Sequence, residues 1–355
     1  MFAVTPVFSD EDVDRILDRL LLFMPNDGKL YKYRSIEGKA FDNAYSTLEK
    51  RYLWVPKANE LNDDEDTILY YDPEKCIEEI KNYICAHPYE FMTTLINATE
   101  RKFPIGKTKK DEEIIRKTCK CFDKKTGKLN RGRLLMLLVK DGMPKDKATK
   151  QIDDVELFIT NYINNHMQMV ESIAEMHMMY NDKIRGLAYV YSMSEDYDCN
   201  QMWAYYANSN NGFCIEYDFN KVKNLSYDLK RKLINLYKVK YCEKAEEFEF
   251  GSLLDWYFNG KDDRLFSNEQ KRILNLLLTK KIGWQHEKEW RLFMTDVVEH
   301  KIEADIVSGI IIDERAKDCK NGKDLLNLAK ERGWCVKIRK TTVTKTKHIY
   351  EEWRE

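Results

Sequence analysis

The spacing of apolar and polar positions changes along the chain, and each change marks a different kind of element. Ser9, followed by Asp10, Glu11 and Asp12, offers a helix cap and an acidic first turn, so a helix is predicted over residues 9–24. Pro25-Asn26-Asp27-Gly28 breaks it. Leu30-Tyr31-Lys32-Tyr33-Arg34 then alternates as a short strand does, with two aromatics on one face and two cations on the other. A helix over residues 38–50 and a strand over 52–55, stopped by Pro56, come next. The acidic loop Asn62-Asp63-Asp64-Glu65-Asp66 closes this first mixed region.

From Pro73 to about Tyr180 the period becomes helical, as in Ile163, Met167, Val170, Ile173 and Ala174. Strand signals are absent there, and five or six helices are expected. Alternation resumes after Arg185-Gly186. Leu187-Ala188-Tyr189-Val190-Tyr191 leads as a strand into Ser192-Met193-Ser194. A short helix over residues 202–207 and a strand over 213–217 follow. Helices are predicted over 227–237 and 268–280, and a strand over 288–294. A strand over 306–312, a helix over 323–331 and a strand over 335–338 close the chain. The expected fold class is α+β, with a split β-sheet core formed by residues 1–72 and 181–355 and a large helical insertion over 73–180.

Composition narrows the function classes. The 355 residues carry 59 Lys or Arg against 60 Asp or Glu, a net charge of −1. Nothing global therefore marks a nucleic-acid binder or a membrane-surface protein. Residues 101–150 depart from this balance, with 17 Lys or Arg against 6 Asp or Glu. Such a segment suits RNA or another polyanion, or equally a solvated helical surface. The nine cysteines are odd in number and irregularly spaced. Reduced thiols in a cytoplasmic protein are the reading they favour. No apolar run reaches membrane-spanning length.

The densest chemical signal is Trp284-Gln285-His286-Glu287-Lys288-Glu289-Trp290-Arg291-Leu292-Phe293. On an extended strand Glu287 and Glu289 point the same way, roughly 7 Å apart. Two like charges so placed repel. Either they face solvent, with Arg291 completing a charged ladder, or they do chemistry. Paired carboxylates can stabilise an oxocarbenium-like state and orient the attacking nucleophile. Ser192 and Ser194 share a strand face and can bond a ribose, a backbone group or a glutamate, or simply mark a strand-to-turn transition. Lys32 and Arg34 can hold a pyrophosphate or carboxylate, or line a solvent-facing edge. Trp203 and Tyr206 share a helix face, either as a stacking platform for a planar ring or as core. No nucleophile elbow, P-loop, dinucleotide fingerprint or zinc-protease motif is present.

Leu30-Tyr31-Lys32-Tyr33-Arg34, Asn62-Asp63, Met202-Trp203-Ala204-Tyr205-Tyr206-Ala207, Gly212-Phe213-Cys214-Ile215-Glu216 and Trp284 through Leu292 occur in an order that resembles one family. It is the domain-of-unknown-function family 2971, which includes AbiGi-type abortive-infection proteins. The resemblance covers residues 28–70 and 186–340 and leaves the helical block aside. A more distant resemblance is to arginine-class ADP-ribosyltransferases, which carry a cation on the first core strand, a Ser-Thr-Ser-like strand and a late Glu-x-Glu. Leu30-Tyr31-Lys32, Ser192-Met193-Ser194 and Glu287-Lys288-Glu289 are similar to these, with Lys32 where that class has arginine.

This second resemblance implies that NAD⁺ is bound as a substrate. It implies that Glu289 stabilises the ribosyl cation and Glu287 positions the acceptor. The strand Tyr31-Lys32-Tyr33-Arg34, Ser192, Ser194, Trp203 and Tyr206 would line the NAD⁺ site, with Lys32 or Arg34 on its phosphates or ribose. The implied activity is ADP-ribose transfer to RNA or protein in a phage-defence or toxin role, with residues 101–150 recruiting the acceptor and an antitoxin or inhibitor as a further partner. Two other readings stay open: a non-enzymatic module that binds nucleic acid or a partner, and a hydrolase of NAD⁺ or a nucleotide.

Overall fold

The computed structural model describes residues 9–61, 66–68, 72–86, 113–114, 117–118, 120–121, 123, 128–167, 185–244, 274–275, 277–294, 297–341 and 348–353. The fold class is α+β, with a large mixed sheet and several helices. The chain divides into two compact units. One comprises Met1–Ile68, Asp182–Ala245 and Leu277–Glu355, and the other Leu69–Asn181 and Glu246–Leu276.

The first unit opens with helix α1 (Asp10–Phe23). Ser9 caps it as the sequence suggests, and the structure adds a reciprocal bond that makes a capping box: the Ser9 hydroxyl accepts from the Asp12 amide, and the Asp12 carboxylate accepts from the Ser9 amide. Strand β1 (Lys29–Ser35), helix α2 (Gly38–Glu49) and strand β2 (Leu53–Trp54) follow. Strand β3 (Tyr189–Ser194), helix α6 (Asn200–Tyr206) and strand β4 (Gly212–Asp218) follow, in chain order, the helices α3 (Pro73–Ala86), α4 (Arg131–Lys140) and α5 (Lys145–Met167) of the second unit.

Helix α7 (Tyr227–Leu233) is shorter than the pattern predicts. The Asn235 side chain caps the carbonyls of Arg231 and Lys232, and residues Leu236–Lys238 leave as strand β5. Strands β6 (Lys240–Cys242) and β7 (Thr279–Lys281) pair in parallel. The helix predicted over 268–280 thus gives way to β7 at its end, and residues 268–273 lie outside the described residues. Strands β8 (Glu289–Met294), β9 (Lys301–Ile302) and β10 (Val307–Asp313) precede helix α8 (Lys320–Arg332). Strands β11 (Cys335–Thr341) and β12 (His348–Glu352) end the unit.

Eight strands form one sheet in the order β12-β11-β10-β4-β1-β3-β8-β5. Among the described strand pairs of this sheet only β10 and β11 run parallel, and α8 makes the crossover between them. The joint between β1 and β3 is narrow. A single register pair, Tyr31 with Ser194, connects them, whereas β1 and β4 pair over seven residues.

Strand alternation sends Leu30, Phe213, Ile215, Tyr217, Ile310 and Ile312 to one side. There they pack with Val13 and Leu17 of α1, Phe41 and Leu48 of α2, and Leu325 and Ala329 of α8. Each Val, Leu, Ile or Phe among them contributes about 1.5–3 kcal/mol when fully buried. On the other side, Tyr31, Tyr33, Cys214 and Ile311 pack under Met202 and Trp203 of α6. Gly212 is required at the start of β4, because a Cβ there would collide with the carbonyls of Arg34 and Ala207.

In the second unit the described residues form helices α3 (Pro73–Ala86), α4 (Arg131–Lys140) and α5 (Lys145–Met167). Leu134 and Leu138 are buried on α4, and Ala148, Ile152 and Val155 on α5. Arg131 pairs with both Asp153 and Glu156 across the two helices. Of the basic segment 101–150, residues 101–112, 115–116, 119, 122 and 124–127 lie outside the described residues. Asn62-Asp63-Asp64-Glu65 of the acidic loop also lies outside them.

Candidate functional site

The Glu-Lys-Glu segment does not run as one extended strand. Residues Ile282–Glu287 form a 3-10 turn, and Lys288 adopts a left-handed conformation with φ of 44°. The strand begins only at Glu289. The expected side-by-side placement of two glutamates on one strand face is therefore replaced by a turn-to-strand corner. Ser194 fixes that corner. Its hydroxyl donates to the Glu287 carbonyl at 2.7 Å and accepts from the Asp196 amide at 3.0 Å.

The corner still turns both carboxylates toward one cation. Lys280 Nζ of β7 lies 2.6 Å from Glu287 Oε2 and 3.3 Å from Glu289 Oε2. Arg291, two residues along β8 and therefore on the same face as Glu289, donates Nε to Glu289 Oε1 at 2.7 Å and Nη2 to Oε2 at 3.0 Å. The same Nη2 meets Asp66 Oδ2 at 2.7 Å, and Nη1 donates to the Leu277 carbonyl at 2.9 Å. Asp66 also lies 3.5 Å from Lys280. Three carboxylates thus face two cations. Glu287 and Glu289 are each 4% exposed and Arg291 is 0% exposed, so this is a buried cluster and not a surface ladder.

Two phenols complete it. The Tyr206 hydroxyl donates to Glu287 Oε1 at 2.7 Å, and the Tyr241 hydroxyl accepts from the Glu289 amide at 2.8 Å. Tyr206 is 42% exposed, so its ring connects the Glu287 carboxylate with the surface.

Glu289, Lys280 and Arg291 favour one another's ionised forms. Burial pushes the Glu289 carboxyl upward, but Arg291 and Lys280 outweigh it and hold the group below the ordinary carboxylate range. Burial likewise pushes Lys280 downward, and Glu289, Asp66 and Glu287 reverse that, leaving it above the ordinary lysine range. Burial, aided by Glu287, raises the Tyr206 hydroxyl, which therefore remains a donor.

The other residues singled out by sequence divide between the two faces of the sheet. Tyr31 pairs with Ser194, and Ser194 with Glu289, so these three share a face. Ser192 pairs with Arg291 on that face, and its hydroxyl helps to hold Glu289 ionised. Tyr33 belongs to this face as well, but both it and Tyr31 are buried under Trp203 and Tyr197. Trp203 is 0% exposed, edge-on to Tyr33 and beneath the Arg339 guanidinium at 4.5 Å. It is core, whereas Tyr206, three residues on, reaches the carboxylates.

Lys32 and Arg34 leave β1 on the opposite face. Lys32 Nζ bends into the gap beyond the single β1–β3 pair. It donates to the Ser192 carbonyl at 2.5 Å and stands 4.1 Å from the centre of the Tyr191 ring. The structure thus brings together Glu287, Glu289, Ser192 and Tyr206, holds Ser194 as a brace, and sets Lys32 and Arg34 apart. Sequence reasoning assigned no site role to Lys280, Tyr241 or Asp66, the last of which appears there only as the end of the acidic loop. Two buried acids required cations, and Lys280, seven residues before Glu287, was a signal for one of them.

The first unit is thus an α+β body with a buried carboxylate–cation cluster at one end of a sheet strand. Residues 202–292, which carry α6, β4 and the Glu287–Arg291 segment, match the model of a family described as protein of unknown function (DUF2971). No curated protein and no solved structure matches the chain.

Proposed function

We propose that the protein cleaves the nicotinamide–ribose bond of NAD⁺ and transfers ADP-ribose to a macromolecular acceptor. The observation that supports this most is the buried, ionised Glu289 beside Glu287, in a cluster where three carboxylates face two cations. An excess of negative charge away from water stabilises positive charge developing on a ribose. As the C1′–N bond breaks, its electron pair leaves with neutral nicotinamide, and Glu289 faces the ribosyl cation. The acceptor hydroxyl or amine then forms the new bond to C1′. Glu287, reached from the surface by way of Tyr206, takes the acceptor's proton. An abortive-infection or toxin-like role, an inhibitor partner and recruitment of RNA or protein by residues 101–150 extend the same proposal.

One observation favours a non-catalytic reading. Both carboxylates are already engaged by Lys280 and Arg291, as expected of a cluster that pins the start of β8. Incubation with labelled NAD⁺ and cell extract separates the two. Label on RNA or protein that disappears in Glu289→Gln supports transfer. NAD⁺ loss without label makes the protein a hydrolase, and neither result in a folded protein leaves the cluster structural. Because the glutamine leaves Arg291 and Lys280 partly unpaired, folding of the variant must be checked by circular dichroism.

A further inference from the structure

The glutamate cluster carries its own cation beside Glu287, the group proposed above to take the acceptor's proton. Lys280 Nζ lies 2.6 Å from Glu287 Oε2, 3.3 Å from Glu289 Oε2 and 3.5 Å from Asp66 Oδ2. Its side chain is only 9% exposed, and the centre of the Trp284 ring stands 5.2 Å from the ammonium. All four glutamate oxygens already accept from a protein donor. Tyr206 donates to Glu287 Oε1, Lys280 to Glu287 Oε2, and Arg291 to both oxygens of Glu289. A guanidinium acceptor is gripped by a free pair of oxygens on one carboxylate, and neither glutamate offers such a pair. Charge leads to the same result. The three carboxylates exceed the two cations by one, and the developing ribosyl cation neutralises that excess. A second positive charge there would be buried without a partner.

We infer that the acceptor is an uncharged 2′-hydroxyl of RNA, deprotonated through Tyr206, and that Lys280 excludes ammonium and guanidinium acceptors; this rests on the transfer reading above. The Tyr206 hydroxyl donates to Glu287 and belongs to a residue 42% exposed. With its proton on Glu287 Oε1, the phenol oxygen keeps lone pairs for an incoming O–H. Tyr205, 65% exposed, stands 6.2 Å from the His286 ring, which in turn lies 5.9 Å from the Trp284 ring. Rings in a row beside a proton-accepting hydroxyl suit a nucleotide, whose base stacks while its ribose presents the neutral nucleophile. In the step itself the 2′-oxygen forms the new bond to C1′ as the C1′–N bond breaks, and that electron pair leaves with nicotinamide. The 2′-hydroxyl proton passes to the Tyr206 oxygen, and the Tyr206 proton passes to Glu287 Oε1.

The test is transfer from labelled NAD⁺ by the full chain to four defined acceptors: a single-stranded RNA oligonucleotide, DNA of the same sequence, a serine-containing peptide, and agmatine as a soluble guanidinium. Label is expected on the RNA and not on the other three. Tyr206→Phe keeps the ring and removes the relay, so RNA labelling is expected to fall roughly 10²-fold and nicotinamide release much less. Agmatine is also expected to leave the melting temperature of the wild-type protein where sodium chloride of equal ionic strength leaves it. Label on agmatine, label on the peptide in place of RNA, or equal label on RNA and DNA overturns this inference and leaves the transfer reading standing. So does a gain in melting temperature with agmatine, or an equal loss of label and nicotinamide release in Tyr206→Phe. No label on any acceptor overturns the transfer reading, and this inference with it.

Discussion

Glu287 and Glu289 share one ammonium group, with Lys280 Nζ at 2.6 Å from the first and 3.3 Å from the second. Removing a member of a buried ion cluster leaves its partners charged and dry, which costs about 3–5 kcal/mol. Lys280→Met is therefore expected to lower the free energy of unfolding by that amount, as measured by urea denaturation. A loss below about 1 kcal/mol, the size of a surface pair, would show that water reaches the cluster.

The two glutamates are expected to separate kinetically. Glu289→Gln should reduce NAD⁺ turnover by roughly 10²–10³-fold, the usual cost of losing one preorganised electrostatic group. Glu287→Gln should leave more nicotinamide release than label transfer, because the acceptor loses its base. Equal losses of both products in both variants would contradict this division of labour.

Acid should weaken the fold through Glu289. Its folded carboxyl is held below the ordinary range by Arg291 and Lys280 against the upward push of burial, while the unfolded group titrates normally. The unfolded chain thus binds a proton first, and the stabilisation present at neutral pH disappears as pH falls through the carboxylate range. Between about pH 5 and pH 3 the wild-type urea midpoint should fall more steeply than that of Glu289→Gln. Parallel slopes would remove Glu289 as the source.

Ser194 offers a test of the corner itself. It is 1% exposed and serves the Glu287 carbonyl and the Asp196 amide at once. Ser194→Ala should cost about 1–3 kcal/mol, because both backbone groups lose their partner. It should also displace Glu287, which a shift in the Tyr206 hydroxyl signal in proton NMR would report.

The alternating and helical patterns made most elements legible, because period and capping are local properties. The capping box at Ser9, strand β1 and the crossover helix α8 all follow from neighbours within a few residues. Strand β5 did not, since Leu236-Tyr237-Lys238 continues a helical pattern until Asn235 caps the preceding carbonyls. The glutamate corner was hidden for a similar reason. Lys288 carries no glycine-like signal for a left-handed turn, and the Ser194 hydroxyl that closes it comes from 93 residues away. Placing Lys32 on the far face required the register of Tyr31 with Ser194, which no single segment encodes.

Helix α6 is only seven residues long, yet its two ends answer to different neighbours. Trp203 is clamped between Tyr33 and Arg339, and Arg339 is in turn tied to Asp313 at 2.9 Å. Tyr206 meets Glu287. A lever this short has no slack, so the orientation of an acid at one margin of the sheet is inherited from a guanidinium on β11. Substitutions at Arg339 or Asp313, which touch neither glutamate, belong in any survey of what tunes them.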